Sequence, residues 1–143
     1  MERHTSVIKE NIIENGERLV KTYSQLLNVT SYFKNGKYHR HNKPAIIRED
    51  CEKYYCDGKL HRKDGPAVIS DESKMWYEKG RLHRVDGPAI EYKDKPSSWY
   101  IRDELHRFDG PARILQDGTE LWYHRGRFMN DNEVKQRKLE LLG

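Results

Sequence analysis

The chain has 143 residues, of which 35% are charged and 35% hydrophobic, and it carries a formal net charge of +4. Leu, Ile, Val and Phe together number only 29, which excludes an enzyme built on a buried parallel sheet, because the strands of such sheets are continuous runs of these residues. The aliphatic runs fall far short of the ~20 apolar residues of a membrane-spanning helix, so the composition also excludes a membrane protein.

Residues 1–30 are predicted to form an N-terminal cap, and two structures fit their pattern. One is a helix, because several apolar residues have the spacing of a single helical face. These residues are Ile8, Ile12, Leu19 and Tyr23. The other is a degenerate β-hairpin, because Asn15-Gly16 follows an apolar pair as Asn35-Gly36 does twenty residues later, and Asn-Gly between apolar runs is a hairpin signal. The pattern favours the hairpin and leaves the helix open.

Residues 31–128 repeat a block of about 22 residues with the pattern W-Y-x-x-G-x-L-H-R-x-D-G-P-A-x-I. The histidines of successive blocks are His39, His61, His83 and His106, at intervals of 22, 22 and 23 residues. A period this short, interrupted by Gly and Pro, is incompatible with a pair of helices and fits two short strands. Nine tyrosines and three tryptophans supply apolar surface that the scarce aliphatic residues do not.

Each block is predicted to form one β-hairpin, whose first strand is Pro-Ala-x-Ile-x and whose second strand contains the Trp-Tyr pair. The turns are placed at 49–50, 71–73, 93–97 and 117–118. Stacked hairpins form an elongated antiparallel sheet in which each block contacts mainly its neighbours. Alternation of side chains predicts two aromatic ladders that pack across the strands. The first holds Tyr54, Trp76, Trp99 and Trp122, and the second holds Tyr55, Tyr77, Tyr100 and Tyr123.

Residues 129–143 are predicted to form a short C-terminal helix that caps the last hairpin. Asn130 or Asp131 is a suitable N-cap. One face carries Val134, Arg137 or Lys138, and Leu141. The fold class is therefore mainly β with one capping helix, and the three segments are expected to form one structural domain.

The H-R-x-D-G-P-A repeat, preceded by W-Y-x-x-G, resembles the MORN-like tandem β-hairpin repeats that occur mainly in proteins of bacteriophages and large DNA viruses. The resemblance covers residues 31–142 and includes a terminal helix in place of the last block. His41-Asn42-Lys43 in the first block and Asp103 in the fourth depart from the pattern. The resemblance implies a β-repeat fold and a viral source, and it supplies no catalytic residue.

The repeated His-Arg-x-Asp-Gly segment has three interpretations. Its side chains could stabilise each connection, its arginines could bind phosphate groups, or its imidazoles and carboxylates could hold a metal ion. Recurrence in every block favours the structural role, because active sites are usually singular. The aromatic residues likewise suit a core, a protein interface or base stacking. The candidate partner-binding residues are His61, His83, His106, Arg62, Arg84, Arg107, Trp76, Trp99 and Trp122.

No phosphate-binding loop, nucleophile elbow or zinc-protease motif occurs, so we expect a non-catalytic protein without cofactor or metal. The first hypothesis is a module that binds a partner protein, which for a viral protein would be a host defence or regulatory protein inhibited by occlusion. The alternative is binding of nucleic acid or nucleotides through the His-Arg and aromatic ladders. An enzyme using the repeated His and Asp is a third hypothesis, and exposed terminal hairpin edges make a homodimer a further expectation.

Cys51 and Cys56 are the only cysteines, and their C-x4-C spacing lacks the second pair of a zinc-binding signature. Two cysteines in a chain whose first residues contain no apolar signal segment are typical of a reduced compartment. We therefore expect a cytoplasmic protein, located in the host cytoplasm if its source is viral.

Overall fold

The computed structural model describes residues 6–143, which form 19 β-strands and one C-terminal helix. The predicted class, a mainly β structure of stacked antiparallel hairpins with a short terminal helix, is confirmed. Nothing in the described part of the chain is a helix long and apolar enough to cross a membrane.

The strands of the first half are β1 Val7–Glu14, β2 Glu17–Ser24, β3 Val29–Lys34, β4 Lys37–Tyr38, β5 Ile46–Ile47, β6 Cys51–Lys53, β7 Tyr55–Cys56, β8 Lys59–Leu60, β9 Val68–Ser70 and β10 Ser73–Met75. Those of the second half are β11 Tyr77–Glu78, β12 Arg81–Leu82, β13 Ile90–Tyr92, β14 Tyr100–Ile101, β15 Glu104–Leu105, β16 Arg113–Ile114, β17 Glu120–Leu121, β18 Tyr123–His124 and β19 Arg127–Phe128. Helix α1 spans Asp131–Leu142.

The N-terminal segment is a β-hairpin of β1 and β2, so its helical interpretation is wrong. Asn15 and Gly16 have φ values of 52° and 76°, the left-handed conformations that a type I′ turn requires. The residues with helical spacing are opposite one another across the hairpin, Ile12 with Leu19 and another pair nearer its open end. Their seven-residue separation arises from hairpin register, which by coincidence matches two helical turns.

The main sheet is a nine-stranded antiparallel sheet in which β1, β2, β3, β5, β6, β9, β10 and β13 follow one another, with β4 paired to β3. After β13 the order continues through Ser98, which forms bridges to Ile90 on one side and to Arg113 on the other. Strands β16 and β17 then pair antiparallel beyond this point. Each block thus contributes a hairpin to this sheet, as the repeat predicts.

A second, smaller hairpin in each block was not predicted. Strand pairs β7–β8, β11–β12, β14–β15 and β18–β19 are two residues long on each side and form separate two-stranded ribbons. Their turns are Asp57-Gly58, Lys79-Gly80, Arg102-Asp103 and Arg125-Gly126, all with positive φ at both positions. The segment that the sequence analysis treats as a connection between hairpins is therefore partly a hairpin itself, and only its H-R-x-D-G-P part is a loop.

Each small hairpin docks on the preceding block through the N–H groups of its turn. The first turn residue donates its N–H to a histidine Nδ1 of that block: Asp57 to His39 at 3.0 Å, Lys79 to His61 at 3.0 Å, Arg102 to His83 at 3.3 Å and Arg125 to His106 at 2.9 Å. The second turn residue donates to a carbonyl: Gly58 to Tyr38, Gly80 to Leu60, Asp103 to Leu82 and Gly126 to Leu105, at 2.8–3.0 Å. We call this pair of bonds the turn clamp.

The repeated arginine lies against the repeated aromatic ring of its own block. The pairs are Arg40 with Tyr32, Arg62 with Tyr54, Arg84 with Trp76 and Arg107 with Trp99, at 3.7, 4.0, 3.9 and 4.1 Å from guanidinium carbon to ring centroid. The same guanidinium donates to the proline carbonyl four residues later, at 3.1–3.4 Å. The predicted ladder of stacked rings is thus replaced by ring–arginine pairs, and among residues 6–143 no aromatic contact joins two tryptophans.

The core is thin and is built around small residues. Ala45, Ala67, Ala89 and Ala112 have no exposed surface. Each alanine carbonyl accepts the N–H of an aromatic residue in the same row, for example Trp76 from Ala89 at 2.8 Å. A larger side chain at these alanines would have to displace a neighbouring strand, since protein interiors are close-packed.

The N-terminal hairpin is joined to the first block by an ion pair. Both oxygens of Glu14 accept hydrogen bonds from Arg40, through Nε and Nη2, at 2.9 Å each. The hydrogen bonds from Arg40 lower the pKa of Glu14 to about 2. Arg40 has no aspartate of its own block because Asn42 stands at that position, and Glu14 takes this place.

Helix α1 ends the repeat array. Its N-cap is Asn130, which forms a capping box with Glu133. Asn130 occupies the position of the repeated arginine, and Lys138 of the helix supplies the cation instead, 5.4 Å from the ring centroid of Trp122. Glu120 accepts hydrogen bonds from both Trp122 Nε1 and Lys138 Nζ, at 3.0 and 3.4 Å. The predicted helix face is only partly used, since Leu141 is exposed.

The glycine before each proline should be required for the arginine–ring pair. An added Cβ at Gly87 would lie 2.7 Å from Arg84 Cζ, whereas one at Gly65 would lie 3.2 Å from Arg62 Cζ. We expect Gly87→Ala to push Arg84 off Trp76 and to lower the free energy of unfolding by about 1–2 kcal/mol, the strength of a partly desolvated cation–π contact. Denaturant unfolding would measure the loss, and Gly65→Ala is the graded control. Equal losses in the two variants would contradict this explanation.

The turn clamp should make stability depend on pH. Burial, and next His124, lower the pKa of His106 from its ordinary value of 6.5. As the pH falls below 6.5, the unfolded chain takes up the proton first, so the contribution of neutral His106 is complete above this pH and is lost below it. We expect the melting temperature to fall between pH 7 and pH 5, and to fall less in His106→Gln. The exposed His41 is the control, and an equal effect of His41→Gln would refute the assignment to His106.

Candidate functional site

The candidate site is the row of loops that carries the repeated His-Arg-x-Asp-Gly-Pro segments. We define the loop edge as residues 61–66, 83–88 and 106–111. The turn clamps place these loops side by side along one edge of the molecule, because each clamp fixes one block on the next. The loop edge contains six of the nine residues that the sequence predicts to bind a partner: His61, His83, His106, Arg62, Arg84 and Arg107.

Two grooves separate the three loops. The larger has a volume of about 750 Å³ and lies between the loops of the second and third blocks, with Trp76 and Tyr77 in its wall. The smaller has a volume of about 480 Å³ and lies between the loops of the third and fourth blocks, with Trp99 and Ile101 in its wall. Each groove therefore combines an aromatic wall with the charged rims of two loops.

The predicted binding arginines are mostly engaged inside their own blocks. Besides its ring and its proline carbonyl, Arg84 pairs with Asp86 at 3.2 Å and with Glu91 at 2.8 Å. Arg107 pairs with Asp109 at 2.9 Å. Arg62 has no carboxylate partner within residues 6–143. A partner that approaches this edge meets guanidinium groups whose charge is largely balanced.

The predicted binding histidines are engaged as well. Nδ1 of His61, His83 and His106 accepts the N–H of a turn residue in the next block. This bond fixes the neutral tautomer with hydrogen on Nε2. Nδ1 is therefore unavailable as a general base, which agrees with the structural role that recurrence favours.

The three tryptophans differ in their accessibility. Trp76 and Trp99 are half-buried and line the two grooves. Trp122 is 5% exposed, beneath Lys138 and beside Glu120. The structure thus places Trp122 in the core, because helix α1 covers the end of the array, and leaves only Trp76 and Trp99 facing a groove.

Val85 and Phe108 are surface residues that the sequence analysis did not select. They occupy the variable position between Arg and Asp in two successive loops and are 78% and 58% exposed. Val85 borders both grooves, and Phe108 borders the smaller one. On one side the Phe108 ring is covered by the Arg137 guanidinium of helix α1, 4.4 Å from its centroid. The available signal was an apolar residue inside an otherwise polar loop, where Lys63 stands in the second block.

Comparison with protein-family models, with curated proteins and with solved structures found no match to this chain.

Proposed function

We propose that this chain is a non-catalytic interaction module whose loop edge binds a partner protein. The observation that carries the proposal is the pair of exposed apolar side chains, Val85 and Phe108, at equivalent loop tips beside half-buried tryptophans. Apolar and aromatic anchors next to arginine are the usual composition of protein-binding hot spots. Rigid spacing of the loops also lowers the entropic cost of binding, because little has to be ordered on contact.

The charge pattern of the loop edge favours a protein over a nucleic acid as the partner. Binding of a phosphate backbone depends on several uncompensated cations. Here Arg84 and Arg107 are paired with carboxylates, and Asp64 adds a further negative charge to the rim of the larger groove. We place the protein in the cytoplasm, which the free thiols of Cys51 and Cys56 support.

The resemblance to MORN-like repeats extends this proposal to a source and a role. On that basis we infer that the protein comes from a bacteriophage or a large DNA virus and occludes a host defence or regulatory protein. This extension depends on the repeat motif alone, since a fold does not by itself specify a function.

The first test is loss of partner capture when the apolar loop tips are removed. We expect the double variant Val85→Ser/Phe108→Ser to retain its melting temperature, because both side chains are exposed, and to lose at least about 10-fold in affinity, since one lost hot spot costs about 2 kcal/mol. The measurement is pull-down of the tagged chain from nuclease-treated host lysate, with mass spectrometry and then titration of the protein recovered.

The matched control is Leu139→Ser/Leu142→Ser on helix α1, since these two leucines are 61% and 85% exposed. This control should bind like the unmodified chain. Undiminished capture by the loop-tip variant, or equal loss in the control, would refute binding through the loop edge. Replacement of the arginines is a poorer test, because it would also remove the ring contacts that stabilise each block.

The alternative, binding of nucleic acid or nucleotides, is supported by one observation, the lack of a carboxylate partner for Arg62 in the described part of the chain. Phosphate-dominated affinity would fall roughly 10³-fold or more between 50 and 200 mM salt if six or more phosphates were contacted. We expect the affinity for the captured partner to change by less than about 10-fold over this range. Recovery of nucleic acid alone, with a steep salt dependence, would replace the protein-binding proposal.

A further inference from the structure

One junction of the array brings together three side chains of different metal-binding types. His39 Nδ1 lies 3.2 Å from Asp57 Oδ1, and Cys56 Sγ lies 3.9 Å from Asp57 Oδ2. One ligand atom from each of the three residues lies within 4.8 Å of the other two. Zinc–ligand bonds of about 2.0–2.3 Å place neighbouring tetrahedral ligands roughly 3.3–3.8 Å apart, so small side-chain rotations would bring these atoms around one ion.

The histidine of this cluster is already oriented by a carboxylate. His39 is 6% exposed, and its Nε2 lies 3.1 Å from Glu17 Oε2. Glu17 is held in turn by Lys34, whose Nζ lies 2.8 Å from its other oxygen. A metal-bound histidine typically donates its second ring N–H to a carboxylate in this way, which fixes the tautomer and directs the other nitrogen at the ion.

The other junctions of the same array lack this set of ligands, so the fold itself does not require it. The residues equivalent to Cys56 and Asp57 are Glu78 and Lys79, Ile101 and Arg102, and His124 and Arg125. In each of them a cation stands where Asp57 stands, which opposes the binding of a metal cation. Within residues 6–143, the group at His39 is the one that offers three metal ligands of suitable spacing.

Coordination would exchange one hydrogen bond of the turn clamp for a metal bond. His39 Nδ1 accepts the N–H of Asp57 at 3.0 Å, and that bond must be given up. Two other bonds keep the hairpin docked on the first block, Gly58 N–H to the Tyr38 carbonyl at 2.9 Å and Arg40 N–H to the Tyr55 carbonyl at 3.2 Å. The turn can therefore shift slightly around the ion while the junction stays intact.

We propose that His39, Cys56 and Asp57 bind one Zn²⁺ ion at the junction of the first and second blocks. Nitrogen, thiolate and carboxylate ligands together suit Zn²⁺ better than Mg²⁺ or Ca²⁺, which prefer oxygen alone. Cys56 and Asp57 are both exposed, so the fourth position faces solvent. The site lies outside the loop edge, and it stands or falls independently of partner binding.

The test is titration of the reduced full-length chain with Co²⁺, a spectroscopic substitute for Zn²⁺, followed by competition with Zn²⁺ in calorimetry. We expect one equivalent to bind, with a thiolate-to-cobalt charge-transfer band in the near ultraviolet and tetrahedral visible bands. Cys56→Ser should abolish the charge-transfer band. Cys51→Ser is the matched control, because Cys51 is absent from the cluster, and it should leave the band unchanged.

Two further variants separate coordination from folding. Asp57→Asn keeps a residue that suits the turn, since Asn15 and Asn35 occupy the same turn position at φ 52° and 50°, and it removes a negative ligand. Glu17→Gln leaves all three ligands and should weaken Zn²⁺ binding about 10- to 100-fold, as changes to orienting carboxylates do. Binding of Co²⁺ without a thiolate band, equal affinity in Cys56→Ser, or no saturable binding would overturn the proposal.

Discussion

The structure depends on the hydrogen bonds that a tight turn offers to the block before it. A type I′ turn points N–H groups outward, and each small hairpin uses two of them as the turn clamp, one to a histidine Nδ1 and one to a carbonyl. These bonds tie every block to its neighbour at the same position, so the spacing of the array is set by main-chain geometry. The histidine is needed because a backbone donor at the turn would otherwise lack an acceptor there.

The arginine–ring pair is the second constraint, and it compensates for the poor aliphatic content of the chain. In each block a guanidinium lies between an aromatic ring and a glycine, and it also donates to a proline carbonyl. One long side chain thereby covers the ring, closes the loop and satisfies a carbonyl. This arrangement explains why Arg, Gly and Pro recur together, and why stacked aromatic ladders are absent from residues 6–143.

What a partner or a ligand could use is therefore the part of each block that these contacts leave free. The variable loop position is one such part, and it carries Val85 and Phe108 in two adjacent loops. The variable residues of the small hairpin are another, and at one junction they supply Cys56 and Asp57 beside His39. Functional side chains in a repeat protein of this kind are expected at positions where the blocks differ, since the shared positions are occupied by folding.

The sequence by itself determined the period, the β class, the turns of the main hairpins and the C-terminal helix, because Gly, Pro and Asn-Gly signals act locally. It also favoured the structural role of the His-Arg segment through its recurrence. Only the tertiary structure decided that Ile12 and Leu19 face each other across a hairpin, that Trp122 is buried under Lys138, and that Nδ1 of each histidine binds the next block. These features depend on residues separated by up to 19 positions, and such contacts follow from the stacking of blocks, which no local pattern encodes.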